Sequence, residues 1–332
     1  MAAADPSFDV LGIGNAIVDV LAPVEAGYPE ANGMVPGSMS LIDAQQASAL
    51  LSSIQPVQHT GGGSVANSCV VARALGARVA YLGKVADDEA GAHFRRDLEA
   101  IGISFSSEPF AGAAAEGLAT ARCIILVTPD GQRTMHTYLG ACTRFGPADV
   151  LPGLVRAAAV TYLEGYLFDP PAAQDAFRLA AGLAHEAGRE VALSLSDPFC
   201  VGRHRSAFRQ LLQGGTDILF ANQDEVMSLY ETGDFEQAAA QAGSEVALAV
   251  LTRSEQGSVI LQRGVRTDVP AEPTRVVDST GAGDAYAAGF LAGYTRGLPM
   301  AECGRIGAIA ASEVISHFGA RPLADLRQML GL

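Results

Sequence analysis

Short apolar runs rich in Val, Ile and Leu alternate with longer segments of helical period along most of this chain of 332 residues. Such alternation is typical of parallel strands joined by helices. It predicts strands at 9–14, 78–84, 159–164, 190–195, 217–221 and 246–252, and helices at 64–75, 88–101, 172–187, 203–212, 224–230 and 283–296. The predicted fold class is therefore α/β, with a doubly wound, mostly parallel sheet flanked by helices and ligands at the carboxyl ends of its strands.

Two stretches depart from this alternation. Residues 120–127 and 133–138 flank Thr128-Pro-Asp-Gly131, a sequence typical of a tight turn within a β-hairpin. Residues 23–42 carry several glycines and prolines and few helix formers. We expect a small inserted β lid formed by about 23–42 and about 104–141. No Ser/Pro-rich linker or repeat divides the chain, so residues 1–332 are expected to form a single domain.

Composition excludes several function classes. Lys and Arg number 22 against 36 Asp and Glu, and the net charge of −14 has the wrong sign for neutralising many phosphates, so no nucleic-acid partner is expected. Lys84 is the only lysine and Val85 follows it, so the chain has no phosphate-binding loop of the Walker type. Nothing in the sequence indicates an oligomeric state.

The expected location follows from cysteine usage and hydropathy. The five cysteines are scattered and form no CxxC, which argues against a disulfide framework and a zinc site and favours a reducing cytoplasm. The start of the chain lacks a basic flank before an apolar core, and no run of 18 apolar residues follows. We therefore expect a soluble, cytoplasmic protein without a membrane partner.

The segment Asp278-Ser-Thr-Gly-Ala-Gly-Asp284 is the most informative for chemistry. Gly281, Ala282 and Gly283 open a predicted helix, where bare backbone N–H groups and the helix dipole favour an anion. Asp284 in the same turn is suited to accept a hydroxyl proton. Taken alone, the pattern is also explained by a tight turn and by an acid that complements the dipole.

Two further glycine-containing segments point to a hydroxyl-bearing ligand. Gly61-Gly-Gly-Ser-Val-Ala-Asn67 precedes a predicted helix, where glycines allow close approach of a ligand and Asn67 can bind hydroxyls. Leu11-Gly-Ile-Gly-Asn-Ala-Ile-Val-Asp19 has Ile17 where a dinucleotide fingerprint needs its third glycine, which disfavours a nicotinamide cofactor. Asp19 is then a candidate acceptor for two vicinal sugar hydroxyls, or simply an exposed acid after a strand.

Together, in this order and spacing, the three segments resemble the ribokinase-like (PfkB) family of carbohydrate and nucleoside kinases over nearly the whole chain. The resemblance implies an ATP- and Mg²⁺-dependent phosphotransferase with Asp284 as catalytic base and residues 281–283 as anion hole. It implies that Asn222 and Glu225, in Asn222-Gln-Asp-Glu225, organise Mg²⁺ largely through water. Thr252 and Gly257 resemble the family's TxGxxG nucleotide segment, with Ser254 in place of the first glycine. Asp278 and Thr280 stand where relatives bind a monovalent cation such as K⁺.

On the acceptor side, the resemblance implies that Asp19, Gly62, Gly63 and Asn67 bind the substrate. Ser64 stands where ribokinase-like sugar kinases have a lysine, and the residues before Asp19 are similar to those of members that phosphorylate adenosine. Arg133 matches a lid arginine that reaches the transferring phosphate, although a hairpin arginine is often only solvated.

The wall of the acceptor pocket is the least constrained feature. Tyr166 is a candidate for stacking on a purine, or a core aromatic, with Met34 and Met39 as further apolar wall. We expect a kinase of ribosyl 5′-hydroxyls, with adenosine as acceptor. The alternatives are a ribokinase- or fructokinase-like sugar kinase and, more remotely, a non-catalytic nucleotide-binding regulator.

Overall fold

A nine-stranded sheet organises the computed structural model, which describes residues 5–331. The large sheet begins with β1 (Phe8–Ile13). The next three strands, β2 (Ile17–Pro23), β3 (Met39–Leu41) and β4 (Gln58–Gly62), belong to a second sheet. The chain then returns to the large sheet with β5 (Val79–Leu82) and β6 (Ser104–Phe105). Two more strands of the second sheet follow, β7 (Ala121–Val127) and β8 (Arg133–Tyr138), and the large sheet is completed by β9 (Ala158–Glu164), β10 (Glu190–Ser194), β11 (Ile218–Asn222), β12 (Leu248–Thr252), β13 (Ser258–Gln262) and β14 (Val265–Val269).

The large sheet is parallel over most of its width. Its order is β14-β13-β12-β11-β10-β9-β1-β5-β6, and only the pairs β12–β13 and β13–β14 are antiparallel. The six strands predicted from the apolar runs correspond to β1, β5 and β9 to β12, which confirms the predicted fold class. Because these strands are parallel, their carboxyl ends all lie at one edge of the sheet.

Helices cover both faces of this sheet. Two helices, α1 (Tyr28–Ala31) and α2 (Ala44–Ser53), pack with the second sheet instead. The remaining helices are α3 (Ser64–Ala74), α4 (Glu89–Ala100), α5 (Pro152–Ala157), α6 (Pro171–Glu186), α7 (Pro198–Gly215), α8 (Gln223–Tyr230), α9 (Phe235–Glu245), α10 (Ala282–Tyr294), α11 (Met300–Val314) and α12 (Leu326–Leu330). One core layer packs under α3, α10 and α11, and the other under α6 to α9. Within residues 5–331, no helix is long and apolar enough to cross a membrane.

The second sheet has five strands in the order β3-β8-β7-β2-β4. The predicted hairpin is present as β7 and β8, which pair in antiparallel register from Arg122 opposite Tyr138 to Val127 opposite Arg133. One face of this sheet packs on α2 through a small cluster that includes Leu50, Ile124 and Leu126. The two segments assigned to the lid supply β3, β7 and β8, whereas β2 and β4 lie outside them and β6, at 104–105, pairs with β5 in the large sheet.

Candidate active site

A cleft of about 950 Å³ lies between the carboxyl edge of the large sheet and the uncovered face of the small sheet. Side chains and backbone from β2, α3, β9, β11, β12 and α10 contribute to its lining. It brings together twelve of the residues singled out from the sequence: Asp19, Gly63, Asn67, Tyr166, Asn222, Glu225, Thr252, Thr280, Gly281, Ala282, Gly283 and Asp284. Residues more than 250 positions apart in the chain therefore share one cavity, because parallel strands end at the same edge.

The start of α10 is shaped to leave its backbone open. Gly281 has φ of 79°, and a side chain there would place its Cβ 2.7 Å from the Cβ of Ala320. Glycine is therefore required for both the turn and the close approach. No atom lies within 4 Å of the position that a Cβ on Gly283 would take, so the cleft reaches the first turn of the helix. The Ala282 N–H, expected from the sequence to bind the anion, donates instead to the carbonyl oxygen of Ser279 at 3.2 Å. The N–H groups that a helix N-terminus leaves without intrahelical partners favour an anion.

Asp284 lies in this first turn and is held by a residue from the opposite wall. The Ser64 hydroxyl, at the start of α3, donates a hydrogen bond of 2.5 Å to Oδ1 of Asp284. Burial raises the pKa of Asp284 to about 7, with the Ser64 hydrogen bond acting against it and the nearby Glu164 and Glu225 adding to it. A carboxylate with a pKa near neutrality is a stronger proton acceptor than an exposed aspartate.

Asp19 lines the cleft from β2 of the small sheet, in the strand next to β4. A Cβ on Gly62 would lie 2.4 Å from the Asp19 carboxylate, so the glycine makes room for this acid. Burial raises the pKa of Asp19 to about 6, against the charges of Arg321 and Arg133. No residue within 5–331 donates a hydrogen bond to the Asp19 carboxylate. Its oxygens are therefore open to a ligand bound in the cleft, which Asn67 also lines.

The segment Asn222-Gln-Asp-Glu225 forms a local cap at the end of β11. Asn222 Oδ1 accepts from the backbone N–H of Glu225, and the Glu225 carboxylate accepts from the backbone N–H and the side-chain amide of Asn222, at 2.7 to 2.8 Å. This reciprocal arrangement is a capping box for α8. Burial raises the pKa of Glu225 to about 7.

The loop after β12 takes the backbone path that a glycine would favour. Ser254 has φ of 50°, so it adopts the left-handed conformation at the position where the resemblance leads one to expect glycine. Gly257 has φ of 83°, and a Cβ there would lie 2.1 Å from the carbonyl oxygen of Val269. Gly257 thus serves the packing of β13 on β14 and lies outside the cleft lining, while Thr252 lies within it.

Four more of the predicted residues lie outside the lining. Arg133, on the inner face of β8, forms an ion pair with Asp278, and both side chains are about nine-tenths buried. Asp278 also accepts from the Thr280 hydroxyl at 2.7 Å and from the Gly319 N–H at 3.0 Å. Although burial acts to raise it, these hydrogen bonds and Arg133 hold the pKa of Asp278 below its usual value. Gly62 lies behind Asp19, and Met34 packs in the cluster on the far face of the small sheet.

Two features of the cleft were not found from the sequence. Glu164, at the end of β9, is 1% exposed and accepts hydrogen bonds from Asn15 at 2.7 Å and from the Val65 N–H at 3.0 Å. Phe199, in the first turn of α7, lines the cleft with 80% of its surface exposed. Glu164 could have been noticed in the sequence as an acid at the end of an apolar strand, whereas Phe199 belongs to no sequence motif that indicates a site.

The wall formed by the small sheet is apolar. Met39, Leu41, Ile125 and Met135 line the cleft from β3, β7 and β8, and Met39 and Leu41 are 48% and 58% exposed. The opposite wall carries the acids Asp284, Glu164 and Glu225. Tyr166 lies on this acidic side, since the charges of Asp197, Asp284, Glu225 and Glu164 add to burial in raising its pKa.

A doubly wound sheet with a β lid, an open helix N-terminus and an acid beside it defines a class of protein: a phosphotransferase whose acceptor is a hydroxyl group. Residues 34–326 match the family model described as pfkB family carbohydrate kinase. The chain belongs to this family, and it is a nucleoside or sugar kinase.

Three relatives illustrate the match. The chain is 48% identical to an adenosine kinase from Sinorhizobium meliloti, with a TM-score of 0.88 over 98% of each chain. It is 43% identical to a probable sugar kinase protein from Rhizobium etli, with a TM-score of 0.89 over 98% of this chain and 99% of the other. A nucleoside kinase from Methanothermobacter thermautotrophicus is 26% identical over 94% of this chain and 90% of its own length.

Proposed function

We propose that this kinase transfers the terminal phosphoryl group of ATP to the 5′-hydroxyl of adenosine, giving AMP and ADP. The observation that carries the choice of acceptor is the set of exposed apolar side chains in the cleft, above all Phe199, which is 80% exposed. A large apolar surface left in water is costly, and stacking a base on an aromatic ring contributes roughly 1–3 kcal/mol. The identity to a bacterial adenosine kinase supports the same choice.

The ribose would be held at the end of the cleft that contains Asp19. Its carboxylate has open acceptor sites for the 2′- and 3′-hydroxyls, with Gly63 and Asn67 beside it. The base would then extend along the apolar face of Met39 and Leu41 toward Phe199, with Tyr166 near the acidic wall. Free ribose forfeits all the contacts of the base.

The transfer itself would depend on Asp284. Held by Ser64, it orients the 5′-hydroxyl and accepts its proton late in a loose transition state, while the N–H groups of Gly281 and Gly283 stabilise the charge on the phosphoryl group. Closure of the lid would exclude water and bring Arg133 toward the transferred phosphate. In that step Arg133 leaves Asp278, whose carboxylate and the Thr280 hydroxyl then become available to a monovalent cation such as K⁺.

The nucleotide would bind along Asn222, Glu225 and Thr252, with Gly257 shaping the loop behind it. Bound Mg²⁺ supplies positive charge beside the phosphates. The donors of this chain fit a water-mediated site, because each Glu225 oxygen accepts one hydrogen bond and keeps a lone pair. No group of three or more His, Cys, Asp or Glu side chains suited to direct metal binding occurs within 5–331.

A panel of acceptors tests the proposal. We expect kcat/KM for adenosine to exceed that for ribose, fructose and 2′-deoxyadenosine by at least about tenfold, equivalent to about 1.4 kcal/mol of transition-state binding. ATP consumption in a coupled assay measures all four. The Phe199→Ala variant is the internal control, because it should lower kcat/KM for adenosine and leave ribose unaffected. Equal or better turnover of ribose or fructose would contradict the nucleoside assignment.

Removal of the Glu225 charge tests the magnesium assignment. We expect Glu225→Gln to raise the Mg²⁺ concentration needed for half-maximal turnover, with a smaller effect on KM for the acceptor, because Gln can still accept from the backbone N–H of Asn222 but lacks the negative charge that orders the cation's waters. A Mg²⁺ titration at saturating acceptor measures this. An unchanged titration would remove Glu225 from the site.

A further inference from the structure

Glu164 is a buried acid that the proposed transfer does not use. It lies at the carboxyl end of β9, 1% exposed, and it lines the floor of the cleft. A buried carboxylate is costly unless its oxygens are satisfied, so its two hydrogen bonds indicate what it stabilises. Gly14 leaves the space it occupies, since a Cβ there would lie 2.3 Å from Oε2 of Glu164.

One oxygen of Glu164 caps α3 from a distance. The helix begins at Ser64 after Gly63, and none of its neighbouring side chains caps it. The N–H of Val65 instead donates a hydrogen bond of 3.0 Å to Oε2 of Glu164, which lies 99 residues further along the chain. Free N–H groups in a first turn favour a negative partner, so Glu164 fixes where α3 starts.

The other oxygen of Glu164 holds Asn15, against which Gly63 packs. Asn15 donates its side-chain amide to Oε1 of Glu164 at 2.7 Å. The backbone carbonyl of Asn15 lies so close to Gly63 that a Cβ there would be 2.2 Å from it. One carboxylate therefore holds both sides of the contact between Asn15 and the loop that ends in Ser64.

Ser64 passes this constraint to Asp284. It stands between Gly63 and Val65, both of which Glu164 positions, and its hydroxyl donates 2.5 Å to Asp284. We infer that Glu164 is a positioning residue for the phosphoryl transfer, holding the Gly63–Val65 loop so that Ser64 orients Asp284. This inference rests on the proposed role of Asp284 as proton acceptor and extends it to the residue that orients it.

Glu164 acts on Asp284 through its charge as well as through the loop that it positions. Burial raises the pKa of both carboxyls to about 7, and the negative charge of Glu164 adds to the effect of burial on Asp284. The other titratable groups that face them are Glu225 from α8, Tyr81 from β5, Tyr162 from β9, Cys69 from α3, Cys142 after β8, and Tyr166. Burial keeps the tyrosines and cysteines neutral near pH 7, which leaves Glu225 as the other acid of the group.

Two substitutions separate position from charge. Glu164→Gln keeps one acceptor oxygen for the Val65 N–H, and its new amide N–H can donate to the Asn15 side-chain oxygen once the Asn15 amide turns over, so we expect kcat/KM at its optimum within about threefold of the wild type. The acidic limb of its pH–kcat profile should move down by about 0.5–1 unit, since the neighbouring negative charge is lost. Glu164→Ala leaves the Val65 N–H and the Asn15 amide unpaired, and we expect kcat to fall by about tenfold or more.

The matched control is Glu190→Gln, at the start of β10, where Glu190 accepts from Tyr294 at the opposite end of the sheet from the cleft. Its pH profile should match the wild type. Thermal unfolding establishes that each variant is folded, and should the alanine variant unfold, the profile of the glutamine variant decides alone. All variants are assayed with the acceptor that the wild type turns over fastest. If that acceptor is not adenosine, the proposed substrate is wrong, but the test of Glu164 as a positioning residue still holds. Wild-type kcat in the alanine variant, or an unshifted profile in the glutamine variant, would overturn the inference.

Discussion

Replacement of Asp284 by Asn should abolish nearly all turnover while leaving the fold intact, with kcat lower by about 10³–10⁴-fold. The amide is the same size and still accepts a hydrogen bond from Ser64, so the packing around α10 is kept. What it lacks is the ability to accept the proton of the acceptor hydroxyl. Single-turnover measurements at saturating ATP and acceptor, with circular dichroism for the fold, provide the test.

A matched control distinguishes this role from stabilisation of the helix. Asp175→Asn makes the same change near the start of α6, on an exposed side chain outside the cleft, and should leave kcat within about twofold of the wild type. If Asp284 only complemented the dipole of α10, its Asn variant would unfold at lower temperature and keep its turnover. That outcome would remove Asp284 as the proton acceptor.

Replacement of Asp19 by Ala is expected to act on binding of the acceptor. We expect kcat/KM for adenosine to fall by about 10²–10⁴-fold, mostly through KM, because two hydrogen bonds from ribose hydroxyls to a carboxylate are lost and each contributes about 1.5–3 kcal/mol. Steady-state kinetics with varied adenosine measures the change. The substitution removes a group with no hydrogen bonds from residues 5–331, so little else in the protein loses a partner.

The acceptor itself provides the control for Asp19. With 2′-deoxyadenosine, one of the two hydroxyls is already missing, so Asp19→Ala should cost at least about fivefold less than it does with adenosine. An equal loss with both acceptors would mean that Asp19 does not bind the 2′-hydroxyl. An unchanged KM for adenosine would remove Asp19 from the acceptor site.

Much of the large sheet was predictable because its signals are local. Runs such as Val246 to Thr252 are apolar over one strand length, the glycines at 61–63 come directly before α3, and Gly281 comes directly before α10. Parallel pairing then places the ends of these strands together whatever the connections are. The cleft and most of its lining follow from that rule.

What could not be predicted depends on packing between distant segments. The helix α11 contains Gly304 and Gly307, which weaken its helical pattern. The structure explains them, because a Cβ on Gly304 would lie 2.7 Å from the Val269 side chain and a Cβ on Gly307 would lie 2.8 Å from the carbonyl oxygen of Tyr286 in α10. Arg133 could be assigned to the lid, but its pairing with Asp278 depends on where the lid rests on the body of the protein.

Glu164 was missed for a related reason. Its partners Asn15 and Val65 lie 149 and 99 residues away, so no local spacing indicates the contacts. Phe199 similarly follows Pro198 in a first helical turn and becomes informative only when its exposure within the cleft is known. The roles proposed for both residues can be recognised only from the tertiary structure.

The position and identity of the transferred phosphate test the central proposal most directly. Incubation with ATP, Mg²⁺ and adenosine, followed by ³¹P NMR, should show a phosphate monoester coupled to the two 5′-protons of AMP, with one ADP formed for each AMP. With 5′-deoxyadenosine in place of adenosine, no new phosphate ester should form, because the acceptor hydroxyl is absent. Phosphorylation of 5′-deoxyadenosine, or of ribose or fructose but not adenosine, would contradict the proposed function.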